Sequence, residues 1–124
     1  MTSARLVRWL PASLVMTVIF ISSSIPSDEL PSFGFWDTLV KKSGHVIGYG
    51  ILALAFWFAL EWKNKHFWLA FLLTFLYALT DEFHQSFTPG RHSSLTDALV
   101  FDSGGAFLSL FVFRWFRRLR RFSR

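Results

Sequence analysis

Charged residues divide the chain into four apolar stretches. No Asp, Glu, Lys or Arg falls between Arg8 and Asp28, which leaves about 19 residues, enough for one helical crossing of a bilayer. A second uncharged run, about 18 residues, lies between Lys42 and Glu61, with His45 near its start. The third begins after Lys65 and stays apolar only to Thr80. Its length of about 15 residues gives roughly 22 Å of helix, short of a ~30 Å hydrocarbon core. The fourth, about 16 residues between Asp97 and Arg114, carries Asp102 inside it. The short third and fourth runs predict that helix three continues through Asp81 to Gln85 and that helix four starts near Ser94 to Asp97. Polar side chains then sit at or below the membrane interface. Pro89-Gly90 breaks the chain between these helices, and Pro26 and Pro31 punctuate the first connection. The pattern predicts an all-α integral membrane four-helix bundle, one domain over residues 1–124, with spans at about 8–25, 43–61, 66–86 and 95–114.

Composition agrees. The chain is 52% hydrophobic and 19% aromatic, too apolar for a soluble domain of 124 residues. With no cysteine, it has no disulfide, thiolate nucleophile or Cys-based metal site. The net charge of +5 matters through its placement. Arg5 and Arg8, Lys63 and Lys65, and the arginines from Arg114 to Arg124 fall on one side of a four-span topology; Lys41, Lys42 and Arg91 fall on the other. The positive-inside rule puts both termini in the cytoplasm, with Asp28, Glu29, Asp37, Asp81, Glu82 and Asp97 facing outward. The basic tail reads as a topology anchor on anionic lipid. It has too little chain beyond the membrane to fold a nucleic-acid-binding surface, so no nucleic-acid partner is expected. A competing reading takes Arg5, Arg8, the first apolar run and Ser22-Ser23-Ser24 as a secretory signal peptide, which leaves three spans and moves the C-terminus to the other side.

Candidate chemistry concentrates in Asp81-Glu82-Phe83-His84-Gln85-Ser86-Phe87-Thr88-Pro89-Gly90-Arg91. On helix two, His45 and Tyr49 are four apart and share a face, with Lys41 and Lys42 a turn above. Gly44 and Gly48 form a small-xxx-small pair that predicts close approach of another helix. On helix three, Asp81, His84 and Gln85 share an arc bordered by Glu82. On helix four, Asp97 stands at the top with Asp102 about 7.5 Å deeper in a regular helix, and Gly104-Gly105-Ala106 reads as a packing contact. These groups converge at the outer leaflet, where charges must pair or face a wet cavity. The bland account is an internal ion-pair cluster, such as Arg91 or Lys42 with Asp81 or Asp97. The functional account makes Glu82, with His84 or His45, an acid–base group, and Arg91 a bidentate clamp for a phosphate or carboxylate. His45, His84 and a carboxylate have the donor types for zinc or magnesium, but their spacing matches no ligand signature such as His-Glu-x-x-His; no metal or other cofactor is expected. Ser43-Gly44-His45 is similar to the Ser-Gly-His of lipid phosphatases, but the flanking motifs of that family are absent.

Asp-Glu-Phe-His-Gln-x-Phe-x-Pro-Gly-Arg, followed by Ser94-Leu95-Thr96-Asp97 and Asp102-Ser103-Gly104-Gly105, resembles the VanZ-like family, as does Lys42-x-x-His45-x-x-x-Tyr49-x-x-Leu52. The resemblance runs from about Lys42 to Gly105. It implies a small multi-pass protein of the bacterial cytoplasmic membrane, in a family whose namesake is associated with resistance to the glycopeptide teicoplanin. The family often has Asp where Lys41 stands and Glu where Gly48 stands, so no role is expected for an acid at either place.

The leading functional expectation is an outward-facing polar pocket that engages an anionic envelope lipid or a lipid-linked cell-wall precursor. Arg91 and Lys42 would hold the headgroup, Tyr49 and Gln85 would orient it, and Asp81, Asp97 and Asp102 would complete the lining. The alternatives are a transferase or hydrolase acting on a lipid-borne phosphate, and a small multidrug exporter, which would be expected to carry a carboxylate in its first span.

Overall fold

The chain leaves its first helix at a proline. In the computed structural model, which describes residues 3–91 and 94–122, a helical turn at Ser3–Val7 leads into α1, Leu10–Ser24. Pro11 lies in the first turn of α1, where the absent N–H had no helical partner to lose. The helix stops at Ile25, whose extended backbone is the conformation Pro26 imposes on its predecessor. Short 3-10 turns at Ser27–Glu29 and Gly34–Trp36 then lead to α2, Asp37–Ala59. Helix α3 is Phe67–Gln85. Helix α4 starts with Leu95–Asp97, widens into a π-helical turn at Ala98–Asp102 and continues as Ser103–Phe122. Among the described residues there is no strand. Arg124 and the Arg121 side chain, counted in the basic tail, lie outside the described part.

Four helices stand where four spans are expected, with α3 running through Asp81 to Gln85 and α4 starting at Leu95. Two boundaries differ. Helix α2 begins at Asp37 rather than near 43, and α4 runs to Phe122 rather than stopping near 114. Hydropathy marks the apolar part of a helix, while the backbone hydrogen bonds continue into its charged ends.

The connections fix an antiparallel arrangement. At one end Arg5 reaches Glu61 (3.8 Å) and Arg117 donates to the Trp62 carbonyl (2.8 Å), so the start of the chain, the α2–α3 turn and the late part of α4 meet. Glu61 and Trp62 in this turn adopt positive φ (63° and 55°), which costs about 1–2 kcal/mol per residue. The Trp62 ring stacks on Phe113 (4.7 Å) and meets Trp57 edge-on (5.4 Å), which offsets that cost. At the opposite end Ser27 N–H donates to the Pro89 carbonyl, joining the two other connections.

Helix α2 packs against all three others. Its Tyr49, Leu52, Ala53, Phe56 and Trp57 are buried against Ala12 of α1, Ala70 and Ala78 of α3, and Ala98, Ala106 and Leu110 of α4. Alanines on the partner helices let backbones come close. The backbones of α2 and α4 come close at Gly105, where an added Cβ would stand 2.8 Å from the Val46 Cα and nearer still to its carbonyl oxygen. A Cβ on Gly50 would collide with the Ser109 hydroxyl. The predicted contact at Gly44 and Gly48 is not made: a Cβ at either would meet nothing within 4 Å.

The outside is apolar on every helix. Leu14 and Val18 on α1, Ile47 and Ile51 on α2, Leu72 and Leu76 on α3, and Leu108 and Phe111 on α4 are all exposed. Two helices, Arg5–Ser24 and Leu95–Arg120, are long and apolar enough to cross a membrane.

Gly105→Ala is expected to lower the thermal unfolding temperature in detergent, through an overpacking cost of about 1–3 kcal/mol. Gly44→Ala is expected to leave it unchanged or raised. Equal effects of the two substitutions would contradict this packing.

Candidate functional site: a buried carboxylate cluster beside two cavities

The polar end of α3 turns inward. Asp81, Glu82 and Gln85 are all buried, at 3–4% exposure. The Tyr49 hydroxyl donates to Asp81 Oδ2 at 2.8 Å, and Gln85 Nε2 donates to the same oxygen at 2.9 Å and to Ser23 Oγ at 3.4 Å. Glu82 Oε2 accepts the Ser94 backbone N–H at 2.7 Å and so ties α3 to the start of α4. Ser94 in turn accepts the Asp97 N–H with its hydroxyl, capping the new helix.

Asp102 is brought in by the π-helical turn, not by the regular helix expected from sequence. The turn carries one more residue than an α turn, and the Ser103 hydroxyl donates across it to the Ala98 carbonyl at 2.7 Å. Asp102 is 1% exposed, and its Oδ1 lies 3.1 Å from His45 Nδ1. The His45 ring is stacked on that of Tyr49, with centroids 6.1 Å apart, as their i,i+4 spacing requires.

Cations surround this cluster without pairing to it. Lys42 pairs with Asp97 (3.2 Å) and lies 4.2 Å from the centre of the Phe101 ring. Lys41 pairs with Asp37 one turn earlier (2.7 Å), and its hydrogen bond holds the Asp37 carboxyl below the ordinary carboxylate range. Arg91 donates to the carbonyls of Ser22 (2.8 Å) and Ile25 (3.2 Å), capping the end of α1. The expectation that Arg91 or Lys42 pairs with Asp81 or Asp97 therefore holds only for Lys42–Asp97.

His84 is not in the cluster. Its Nε2 lies 2.9 Å from Ser24 Oγ, and its ring stacks on Phe20 at 4.4 Å, on the α1 side of the arc that it shares with Asp81 and Gln85. The predicted acid–base pairing of Glu82 with His84 is thus not formed; of the two histidines, His45 is the one that meets the carboxylates.

Two cavities open on the cluster. One of about 300 Å³ lies between α1 and α2, with Val18, Ile19 and Leu30 on its apolar side and Lys41, His45, Tyr49 and Arg91 on its polar side. Gly44 and Gly48 line it, and their missing side chains are what leaves the space. A second, about 270 Å³, is bordered by Lys42, Glu82, Gln85, Asp97 and Phe101, and shares Lys41, His45 and Arg91 with the first.

Sequence reading missed the serines and threonine that finish the network. Ser23 meets Gln85 and, through its carbonyl, Thr88 (3.2 Å); Ser24 meets His84. Three consecutive serines closing an apolar run were the available signal. Tyr77, which donates to the Met16 carbonyl at 2.6 Å, was also missed; a phenol inside the third apolar run was its signal.

The fold and site together define a small all-helical bundle with two helices of membrane-spanning length and a buried Asp–Glu–His–Tyr–Gln cluster beside open space. The family model VanZ/LLP1 matches residues 8–117, and the chain belongs to that family. Searches of curated proteins and of solved structures found no match.

Tyr49→Phe removes one of the two donors to a buried carboxylate oxygen. It is expected to destabilise the fold by about 1–3 kcal/mol in thermal or denaturant unfolding. His84→Ala, on the half-exposed flank, is expected to have a smaller effect. The reverse order would contradict the assignment of Asp81 and His84 to different environments.

Proposed function

We propose that this VanZ/LLP1 protein is a multi-pass protein of the bacterial cytoplasmic membrane whose outward-facing polar pocket engages an anionic envelope lipid or lipid-linked cell-wall precursor. The apolar exterior of all four helices suits contact with acyl chains. The end carrying Arg5, Lys63 and Arg117 then faces the cytoplasm by the positive-inside rule, and the cluster faces out.

The observation that carries this reading is the cavity between α1 and α2. One side is hydrocarbon and the other is Lys41, His45, Tyr49 and Arg91. An amphiphile with an anionic head matches both sides at once. Its binding roles differ in part from those expected from sequence. Tyr49 and Gln85 are turned toward Asp81, so they support the wall of the pocket. Lys41 and Arg91 line the opening, and the two carbonyl bonds of Arg91 leave its guanidinium with further N–H donors for a phosphate or carboxylate. A change in teicoplanin susceptibility would follow, in this reading, from the hold on an envelope lipid.

Gly48→Leu is the direct test, because Gly48 lines the cavity and a Cβ there meets nothing within 4 Å, so the side chain grows into the open space. Mass spectrometry of lipids that co-purify in mild detergent is expected to find an anionic species with the natural chain. The Gly48→Leu chain should carry much less of it at an unchanged unfolding temperature. Equal lipid recovery from both would overturn the reading.

A further inference from the structure

Three carboxylates, Asp81, Glu82 and Asp102, are buried together, and among the described residues none of them forms an ion pair with a lysine or arginine. Of the cations near the cluster, Lys42 is paired with Asp97 and Lys41 with Asp37, and Arg91 is held by the carbonyls of α1 rather than by any of the three carboxylates. The one basic partner is His45, whose single positive charge, when protonated, leaves two carboxylates uncompensated. Buried charge of that size needs compensation from another source.

The geometry supplies a place for it. One donor atom each from His45, Glu82 and Asp102 lie within 4.8 Å of one another, contributed by α2, α3 and α4 respectively. The Asp102 side chain is buried, and its Oδ2 has no hydrogen-bond partner among the described residues. Asp81 Oδ1 is buried and unpartnered in the same way. A native fold rarely leaves carboxylate oxygens in this state unless something binds them.

We propose that His45, Glu82 and Asp102 hold a divalent ion of the first transition row. An imidazole nitrogen with two carboxylate oxygens is a donor set for zinc or manganese; bonds of about 2.0–2.2 Å require the three atoms to close by roughly 1 Å from their widest separation. The second cavity, bordered by His45 and Glu82, gives these two side chains room to turn and gives the ion access. The proton shared between His45 Nδ1 and Asp102 leaves to solvent as the ion enters, so binding is pH-dependent. Tyr49 and Gln85, bonded to Asp81, form a polar wall behind the ligands. With His45 deprotonated, the ion's two charges leave one carboxylate uncompensated where the protonated imidazole left two, and the ion ties three helices at one point. This site does not depend on lipid binding.

The test loads chelator-stripped protein, purified in mild detergent without a histidine tag, with zinc chloride and then desalts it. Bound zinc is read by atomic emission and thermal unfolding is followed. The natural chain and His84→Ala are expected to retain one zinc per chain and to unfold at a higher temperature than the stripped form. Asp102→Asn and Glu82→Gln are expected to lose the zinc and its thermal shift. Glu82→Gln keeps an oxygen for the Ser94 N–H, so it remains a fair test should Asp102→Asn not fold. No retained zinc in the natural chain, or zinc kept by Glu82→Gln, would overturn the site and leave bound protons as the source of compensation. Lipid recovery is not read in this experiment, so its failure is distinct from failure of the lipid reading.

Discussion

Buried carboxylates govern this structure. An ionised carboxyl taken out of water is strongly unfavourable unless donors or cations surround it, and the bundle contains three within one cluster. Each is met from a different direction. Asp81 takes a phenol from α2 and an amide from its own helix; Glu82 takes the backbone N–H of Ser94; Asp102 takes the imidazole of His45. Satisfying these groups therefore fixes the register of α2, α3 and α4 against one another, where apolar packing alone would tolerate sliding.

Close approach of α2 and α4 makes this possible. Gly105 lets the α4 backbone lie on Val46, one residue past His45, and the π turn just before it swings Asp102 onto the same face. Two glycines of α2 serve an opposite purpose. Gly44 and Gly48 face open space, and the volume they leave is the cavity bounded by α1. The α2–α4 pair thus uses small residues both to close a contact and to keep a pocket open. Both uses bear on the cluster.

Much of the architecture was legible in the sequence. A third apolar run too short to cross a bilayer required α3 to include Asp81–Gln85, and it does. The spacing of His45 and Tyr49 places both on one face of α2, and their rings stack there. Other features left no trace in residue order. Helical angle alone put His84 beside Asp81, but the arc they share is wide, and Ser24 and Phe20 hold the imidazole on the α1 side. A small-xxx-small pair reads the same whether it faces a helix or a void: Gly44 and Gly48 face a void, while the packing contact expected at Gly104-Gly105-Ala106 is made at Gly105. An arginine after a Pro-Gly turn gives no sign that its donors will cap carbonyls more than sixty residues earlier. The π turn is a widening of the backbone, and nothing in Ala98–Asp102 announces it.

The central claim is a polar pocket that opens on the outer side of a membrane. The chain has no cysteine, so a single introduced thiol reports its own position. In intact cells a membrane-impermeant thiol reagent should label Gly44→Cys in the cavity wall. It should reach Asn64→Cys, in the turn at the opposite end, only after the membrane is permeabilised. Labelling of Asn64→Cys in intact cells with Gly44→Cys protected would contradict the account.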